Sequence, residues 1–240
     1  MTAEVADRRT AIVTGGSRGF GRAVANRLCA DGWLVIIDGR RSAPLEATAQ
    51  ALGAVAVPGD VTDALHRRRV VSEALLRTGR LDLLVNNAGA LGPSPLPVVA
   101  DLDPGLLRAL LEVNVVAPLA LVQEALPSLC ASGGAVVNVT SDAAVEPYPG
   151  WGGYGASKAA LEQLSAVLAE EVGDGIRVWW LDPGDMRTEM HQQAFPGQDI
   201  SDRSEPEQVA PAVSRLFANR PVSGRYRAAE LLAIPVGDGR

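Results

Sequence analysis

Short runs of consecutive apolar residues recur along the chain, each followed by a longer stretch in which apolar positions return every three to four residues. The runs are Ala11–Thr14, Leu34–Ile37, Val55–Val57, Leu81–Val85, Ala135–Val139 and Arg177–Leu181, with Leu231–Ile234 as a candidate seventh. They are apolar almost throughout rather than alternating, as expected of strands covered on both faces. Helices are predicted near 20–31, 44–52, 63–78, 104–130, 154–173 and 205–218. Two helix starts are marked: Asp103-Pro104 pairs a cap with a first-turn proline, and Ser204-Glu205-Pro206-Glu207 has capping-box spacing. This alternation, with no linker to divide it, predicts a single-domain α/β doubly wound fold over residues 1–240. Its parallel sheet should have about seven strands, with helices on both faces. In such sheets ligands bind beyond the carboxyl ends of the strands, so the residues just after each strand carry the functional reading.

Composition narrows the partners. Hydrophobic residues make up 47% of the 240 and charged residues 21%, with a net charge of −6. A nucleic acid or an anionic membrane would want a basic face, so neither is expected as a partner. Cys29 and Cys130 lie in apolar helical stretches and read as small buried hydrophobes, and no residues show metal-ligand spacing. The stretch Met1–Arg9 carries polar and charged residues with no apolar signal core, and no apolar run approaches membrane-spanning length. The expectation is a cytoplasmic protein that acts on a small molecule.

After the first strand, Thr14-Gly15-Gly16-Ser17-Arg18-Gly19-Phe20-Gly21 runs into a helix. Glycines there let the backbone approach a pyrophosphate, which the amino end of the helix stabilises. The second strand ends in Asp38-Gly39-Arg40-Arg41. An acid at this point can accept from the adenosine ribose hydroxyls, favouring NAD(H), whereas arginine suits a 2′-phosphate. Counting from Gly32 places Gly39 at the discriminating position, with Asp38 before it and Arg40 after. Arg18 can approach the same phosphate from the glycine turn. Two arginines against one acid favour NADP(H). Asp60, after the third strand, can accept from the adenine amino group or cap the next helix. Asn86-Asn87-Ala88-Gly89, after the fourth, would lie close to a flat ligand.

Tyr154 and Lys158 are four residues apart at the start of a helix and share one face. Ser141 directly follows the fifth strand. A carbonyl that receives a hydride leaves an alkoxide in need of a proton, and a tyrosine of reference pKa about 10 supplies it poorly at neutral pH. A lysine ammonium one turn away favours the phenolate, and Ser141 can hold the substrate oxygen. Asn114 precedes Pro118 by four residues. The proline has no N–H for the carbonyl of residue 114, which is then free to hold a water leading to Lys158.

Together these residues resemble the short-chain dehydrogenase/reductase family. Its T-G-x-x-x-G-x-G motif matches Thr14 to Gly21, and its N-N-A-G motif matches Asn86 to Gly89. Its catalytic members match Asn114, Ser141, Tyr154 and Lys158, and its P-G motif matches Pro183-Gly184, with Thr188 beyond. The resemblance covers about residues 8 to 190. It implies a Rossmann-like sheet, a nicotinamide dinucleotide and an oxidoreductase interconverting a carbonyl and an alcohol. The expected cofactor residues are Gly15, Ser17, Arg18, Gly19, Phe20 and Gly21 in the turn, then Arg40, Asp60, Val61, Asn87, Ala88 and Gly89. Tyr154, Lys158, Pro183, Gly184, Met186 and Thr188 complete the set. Many members end in D-G-G, which this chain lacks in Pro235–Arg240. A homo-oligomer is expected, dimer or tetramer, with dimerisation through the helices at 104–130 and 154–173.

Two other readings compete. A dinucleotide-binding regulator without chemistry is opposed by the complete Ser141, Tyr154, Lys158 and Asn114 set. An epimerase or dehydratase would want a larger carboxyl-terminal region. The substrate walls should be Leu91–Val99, Asp142–Gly153 and Met186–Arg203, with His191 a candidate for touching substrate. The last of these is expected to be a loose lid, since it is polar and carries Pro196-Gly197.

Overall fold

Seven strands form one sheet: β1 (Thr10–Val13), β2 (Leu34–Gly39), β3 (Val55–Pro58), β4 (Leu83–Asn86), β5 (Ala135–Val139), β6 (Arg177–Asp182) and β7 (Gly224–Arg227). Their spatial order is β3-β2-β1-β4-β5-β6-β7, and each neighbouring pair is parallel. The order reverses between β1 and β4, which puts a ligand crevice at their carboxyl ends. The protein is described by a computed structural model over residues 8–234; the residues before Arg8 and the tail from Pro235, where the D-G-G motif was sought, lie outside the described residues.

The helices are α1 (Gly19–Ala30), α2 (Ser42–Leu52), α3 (Ala64–Thr78), α4 (Pro104–Leu111), α5 (Ala117–Ser132), α6 (Gly152–Val172), α7 (Glu189–Ala194), α8 (Pro206–Val209), α9 (Pro211–Asn219) and α10 (Ala228–Ala233). Because side chains alternate across a strand, the sheet feeds two cores. Ala11 and Val13 of β1 join Val24, Leu28, Trp179 and Leu216 on one face. Ile12 joins Val71, Leu84, Leu121 and Leu129 on the other. Each fully buried Leu or Ile contributes about 1.5–3 kcal/mol, so both faces hold the sheet.

Several features differ from the sequence expectation. Leu231–Ile234 is not the seventh strand: residues 228–233 are helical, and the edge strand is the polar Gly-Arg-Tyr-Arg of β7, paired with Trp179–Asp182. Four apolar residues in a row do not separate strand from helix, and an edge strand tolerates charge. The expected helix at 205–218 is two, α8 and α9, each opening on a proline. The first is capped by Glu205, not Ser204, with Gln208 Oε1 accepting from the Glu205 N–H at 2.9 Å, because proline at N1 makes its predecessor the cap. Cys130 is exposed, whereas Cys29 is half-buried against the edge of the core, so neither is fully buried as expected. Finally, Pro104–Ser132 runs as 29 helical residues, long and apolar enough to cross a membrane, whereas no such run was expected. In the fold its inner positions Leu110, Leu121, Val122, Ala125 and Leu129 are buried.

Asp103 caps α4 as the sequence indicates, its Oδ1 accepting from Leu106 N–H at 2.9 Å. Between α4 and α5, Glu112–Val116 widens into a π turn in which the Ala117 N–H reaches back five residues to Glu112. This wider turn lies just before Pro118, which cannot donate to the carbonyl four residues back.

Candidate active site

The glycine turn is built from both sides. Gly15 and Gly19 have φ of +67° and +53°, a backbone region that other residues enter only with strain. A Cβ on Gly21 would sit 2.3 Å from Asn87 Nδ2, so glycine is what lets α1 close on the β4 turn. Thr14 Oγ1 accepts from the N–H groups of Asn87 and Ala88 at 3.0 and 2.9 Å, and Asn87 Nδ2 donates to the Thr14 carbonyl at 2.8 Å. The turns after β1 and β4 are thereby locked together at the point where the strand order reverses.

At the end of β2, a Cβ on Gly39 would lie 3.5 Å from Ser17 Oγ, so position 39 faces the glycine turn. Asp38 is only 1% exposed. Its Oδ1 accepts from the Gly15 N–H at 2.7 Å and its Oδ2 lies 3.1 Å from His66 Nε2. Arg40 and Arg41 are exposed on the cleft wall, and neither guanidinium has a hydrogen-bond or ion-pair partner among the described residues. Arg18 is paired with Glu189 of α7. The backbone N–H of Thr62 holds the Asp60 carboxyl below its usual range, helped by the Thr62 hydroxyl and by Arg40. Asp60 does not cap α3; Asp63 does, accepting from Leu65 N–H at 2.9 Å.

Lys158 is 4% exposed on α6, and its ammonium donates to the Val139 carbonyl at 2.8 Å. Burial pushes its pKa down to about 8. Nζ lies 5.6 Å from the Tyr154 ring centroid. Burial drives the Tyr154 hydroxyl well above the usual tyrosine range, with Asp142 and Asp182 adding to it. In the free site, then, desolvation and two carboxylates govern Tyr154, not the neighbouring ammonium that sequence reasoning put first.

Ser141 lies two residues beyond β5 and caps the short 3-10 turn Asp142–Ala144, its Oγ donating to Asp142 Oδ1 at 2.9 Å. Asn114 is fully buried. Its Oδ1 accepts from Ala90 N–H at 2.8 Å, and its Nδ2 donates to the Ala90 carbonyl at 2.8 Å and to Ser157 Oγ at 2.9 Å. The side chain thus fixes the segment after Gly89 against α6.

One cleft of ≈ 860 Å³ runs from Arg40 to Tyr154. It is lined by Ser141, Tyr154 and Lys158 and by all the expected cofactor residues except Gly21, which packs behind the turn. Asn114 also stands behind the wall rather than on it. Ligand clefts of roughly 300–1,000 Å³ are the usual size for small molecules and cofactors. Among the expected substrate walls, Leu91, Asp142, Trp151, Met186, Met190 and His191 reach the cleft. Phe195 packs on Trp151 and His191 with centroids 5.9 and 4.8 Å apart. Tyr148 donates to Asp142 Oδ2 at 2.9 Å. His191, a lone loop histidine by sequence, has a side chain only 10% exposed, and its Nε2 has no partner among the described residues.

Two supporting residues escaped sequence reasoning. A Cβ on Gly155 would lie 2.5 Å from the Ala143 carbonyl, so this glycine sets how closely α6 approaches the Ser141 turn. Arg225 of β7 donates to Glu162 at 3.0 Å, to the Ser141 carbonyl at 3.2 Å and to Asp182 at 3.1 Å. Asp182 in turn accepts from Gly184 N–H at 3.0 Å. The one signal for Arg225 was a polar strand placed where an apolar one was sought.

The chain matches the family model described as short chain dehydrogenase over residues 9–199. Serine 3-dehydrogenase of Agrobacterium fabrum is 39% identical over 184 residues, covering 75% of this chain and 73% of that protein. A structure described as a short chain dehydrogenase from Shigella flexneri 2a str. 301, complexed with NADP, superposes with a TM-score of 0.87 at 28% identity, covering 94% of this chain and 99% of that one. An alcohol dehydrogenase from the archaeon Thermococcus sibiricus, complexed with 5-hydroxy-NADP, gives a TM-score of 0.81 at 27% identity over 92% and 96% of the two chains. The seven-stranded parallel sheet, the glycine turn and these likenesses agree: the chain belongs to the short-chain dehydrogenase/reductase family, and it is an NAD(P)-dependent oxidoreductase.

Proposed function

We propose that this chain interconverts a carbonyl and a secondary alcohol with NADP(H) as its cofactor, and that Tyr154, Lys158, Ser141 and Asn114 carry the chemistry. The observation that bears most weight is that Ser141, Tyr154 and Lys158 line the same cleft as the glycine turn and Arg40. Gly15, Ser17 and Gly19 would hold the pyrophosphate, and Asp60 and Val61 the adenine. Pro183, Gly184, Met186 and Thr188 would lie along the nicotinamide. Bound there, the dinucleotide supplies or takes up the hydride at the substrate carbon.

The Tyr154 hydroxyl gives its proton to the substrate oxygen in reduction and takes it back in oxidation. Its raised pKa keeps it protonated in the free site, which suits an acid waiting for an alkoxide. Ser141 Oγ, now donating to Asp142, turns its proton toward the substrate oxygen. Lys158 carries a positive charge beside Tyr154 below pH about 8 and favours the phenolate that proton transfer leaves. Asn114 acts from behind, holding Ala90 and Ser157. The widened turn before Pro118 supports its main-chain carbonyl as a seat for a water on the way to Lys158.

Asp38 turned inward and Arg40 and Arg41 left open support NADP(H) over NAD(H). Arg18 would have to exchange Glu189 for the phosphate. The exposed Val116 of the π turn, Leu119 of α5 and Leu164 and Val167 of α6 support a homo-oligomer joined through these helices. A panel of aldehydes, ketones and secondary alcohols assayed with the unmodified protein tests the reading. Turnover of one carbonyl–alcohol pair is expected. A protein that binds the cofactor tightly and turns over none would be a regulator instead.

A further inference from the structure

The Arg-rich start of α3, His66-Arg67-Arg68-Arg69, hides a histidine that is 0% exposed. His66 Nε2 lies 3.1 Å from Asp38 Oδ2, and Nδ1 lies 3.3 Å from Arg69 Nη2. A guanidinium has only donors, so Nδ1 accepts, Nε2 carries the proton, and the ring donates to the Asp38 carboxylate. The ring also fills the space beside Gly59, where a Cβ would sit 2.2 Å from Nδ1. The result is a directed chain: Arg69 donates to His66, His66 donates to Asp38, and Gly15 N–H donates to the other Asp38 oxygen at 2.7 Å.

Asp38 borders the cleft in which Arg40 and Arg41 stand. An acid at the end of the second strand that faced the ribose would repel a 2′-phosphate. Here both carboxylate oxygens are turned away, one toward the Gly15 N–H and one toward His66. We propose that His66 is a positioning residue for cofactor choice: by holding Asp38 inside the fold, it leaves the 2′-phosphate pocket to arginine. The proposal rests on the NADP(H) reading given above. Without His66, one buried oxygen of Asp38 loses its donor, and an unsatisfied carboxylate moves toward water, here the cleft.

The test is the dissociation constants of NADPH and NADH, measured by fluorescence titration without substrate. The unmodified protein is expected to prefer NADPH. His66→Ala should lower that preference about 10- to 100-fold, the scale of a like-charge repulsion over several ångströms at an effective dielectric of about 20. His66→Gln, which keeps a donor at the position of Nε2, should hold the preference within about threefold. The double variant His66→Ala with Asp38→Asn should recover it, because the charge is gone. A merely structural histidine would weaken both cofactors equally, and an unchanged ratio in His66→Ala would overturn the proposal. If His66→Ala does not fold, Asp38→Asn alone decides. A preference unchanged within about threefold supports an acid already turned away, and a gain in NADPH preference of tenfold or more means that Asp38 faces the phosphate and overturns the proposal. A preference for NADH in the unmodified protein instead overturns the cofactor reading itself, a result separable from an NADPH preference that His66→Ala leaves intact.

Discussion

The two ends of the cleft are held by different kinds of contact. At the adenosine end, Thr14, Asn87, Asp38 and Gly15 are joined by buried or half-buried hydrogen bonds of 2.7–3.0 Å into the ends of central strands. At the substrate end, the segment from Met186 to Arg203 is anchored by the buried Met186 and Ile200 and by the Arg187 N–H, which donates to the Ser204 carbonyl at 2.8 Å. Between these anchors it rests on exposed ion pairs, Arg18 with Glu189 and Arg187 with Glu205, and on ring contacts of Trp151 and Phe195. Buried bonds that leave an orphan when broken cost about 1–3 kcal/mol, whereas exposed ion pairs are worth about 0.2–1 kcal/mol. On the proposed reading, the cofactor would meet the more rigid surface and the substrate the more adaptable one.

The largest effect should come where the two ends meet. Tyr154→Phe removes proton transfer alone, so kcat should fall about 100- to 10,000-fold while NADPH affinity stays native. Steady-state rates and a binding titration check both halves. Near-native turnover would remove Tyr154 from its role.

Next is the rigid end. Arg40→Ala should weaken NADPH about 10- to 150-fold and leave NADH nearly unchanged, from the 1.5–3 kcal/mol of a charge-assisted hydrogen bond. Equal weakening of both would mean that Arg40 serves the fold and not the phosphate.

Lys158 sharpens the contrast through stability. Its folded pKa of about 8 lies below the reference 10.5, so the unfolded chain binds more protons between those values. Stability therefore rises with pH across pH 8 to 10.5, and below pH 8 the buried charge costs about 3 kcal/mol at 1.36 kcal/mol per unit. Lys158→Met loses activity and leaves the Val139 carbonyl without its donor, which offsets part of the gain. It should still be more stable at pH 7 by about 1–2 kcal/mol, with the difference shrinking toward pH 10.5. Denaturant midpoints at pH 7 and 10 measure it, and a less stable variant at pH 7 contradicts this account of the site.

The adaptable end was the less legible in the sequence. Six strands follow from runs that are apolar almost throughout, the pattern that burial on both faces selects, and Asp103-Pro104 marks its helix because a proline at N1 names its cap. The glycine turn and the Tyr154, Lys158 and Ser141 set were likewise readable, since fixed spacing carries over directly to a shared face or a strand end. After residue 183 the determinants are pairwise and distant. β7 is polar because Arg225 and Arg227 serve Asp182, and Leu231–Ile234, though apolar, lies on a helix. The segment 186–203, expected as a loop, contains α7, capped by Thr188. His66 was invisible for the same reason: within His-Arg-Arg-Arg it reads as a solvated charge run until the fold places Asp38 against it.

The smallest effect concerns that segment. Its exposed pairs should open easily, so amide exchange across residues 186–203 should slow when NADP⁺ and a substrate alcohol are bound together, as expected of a lid that excludes water. Equal exchange in both states would leave it an ordinary wall.

The central claim, an NADP(H)-using carbonyl–alcohol oxidoreductase, is tested most directly by kcat/KM of the unmodified protein for one carbonyl with NADPH and with NADH. The account predicts turnover with NADPH favoured about tenfold or more. Faster reaction with NADH, or NADPH bound with no carbonyl reduced, would contradict it.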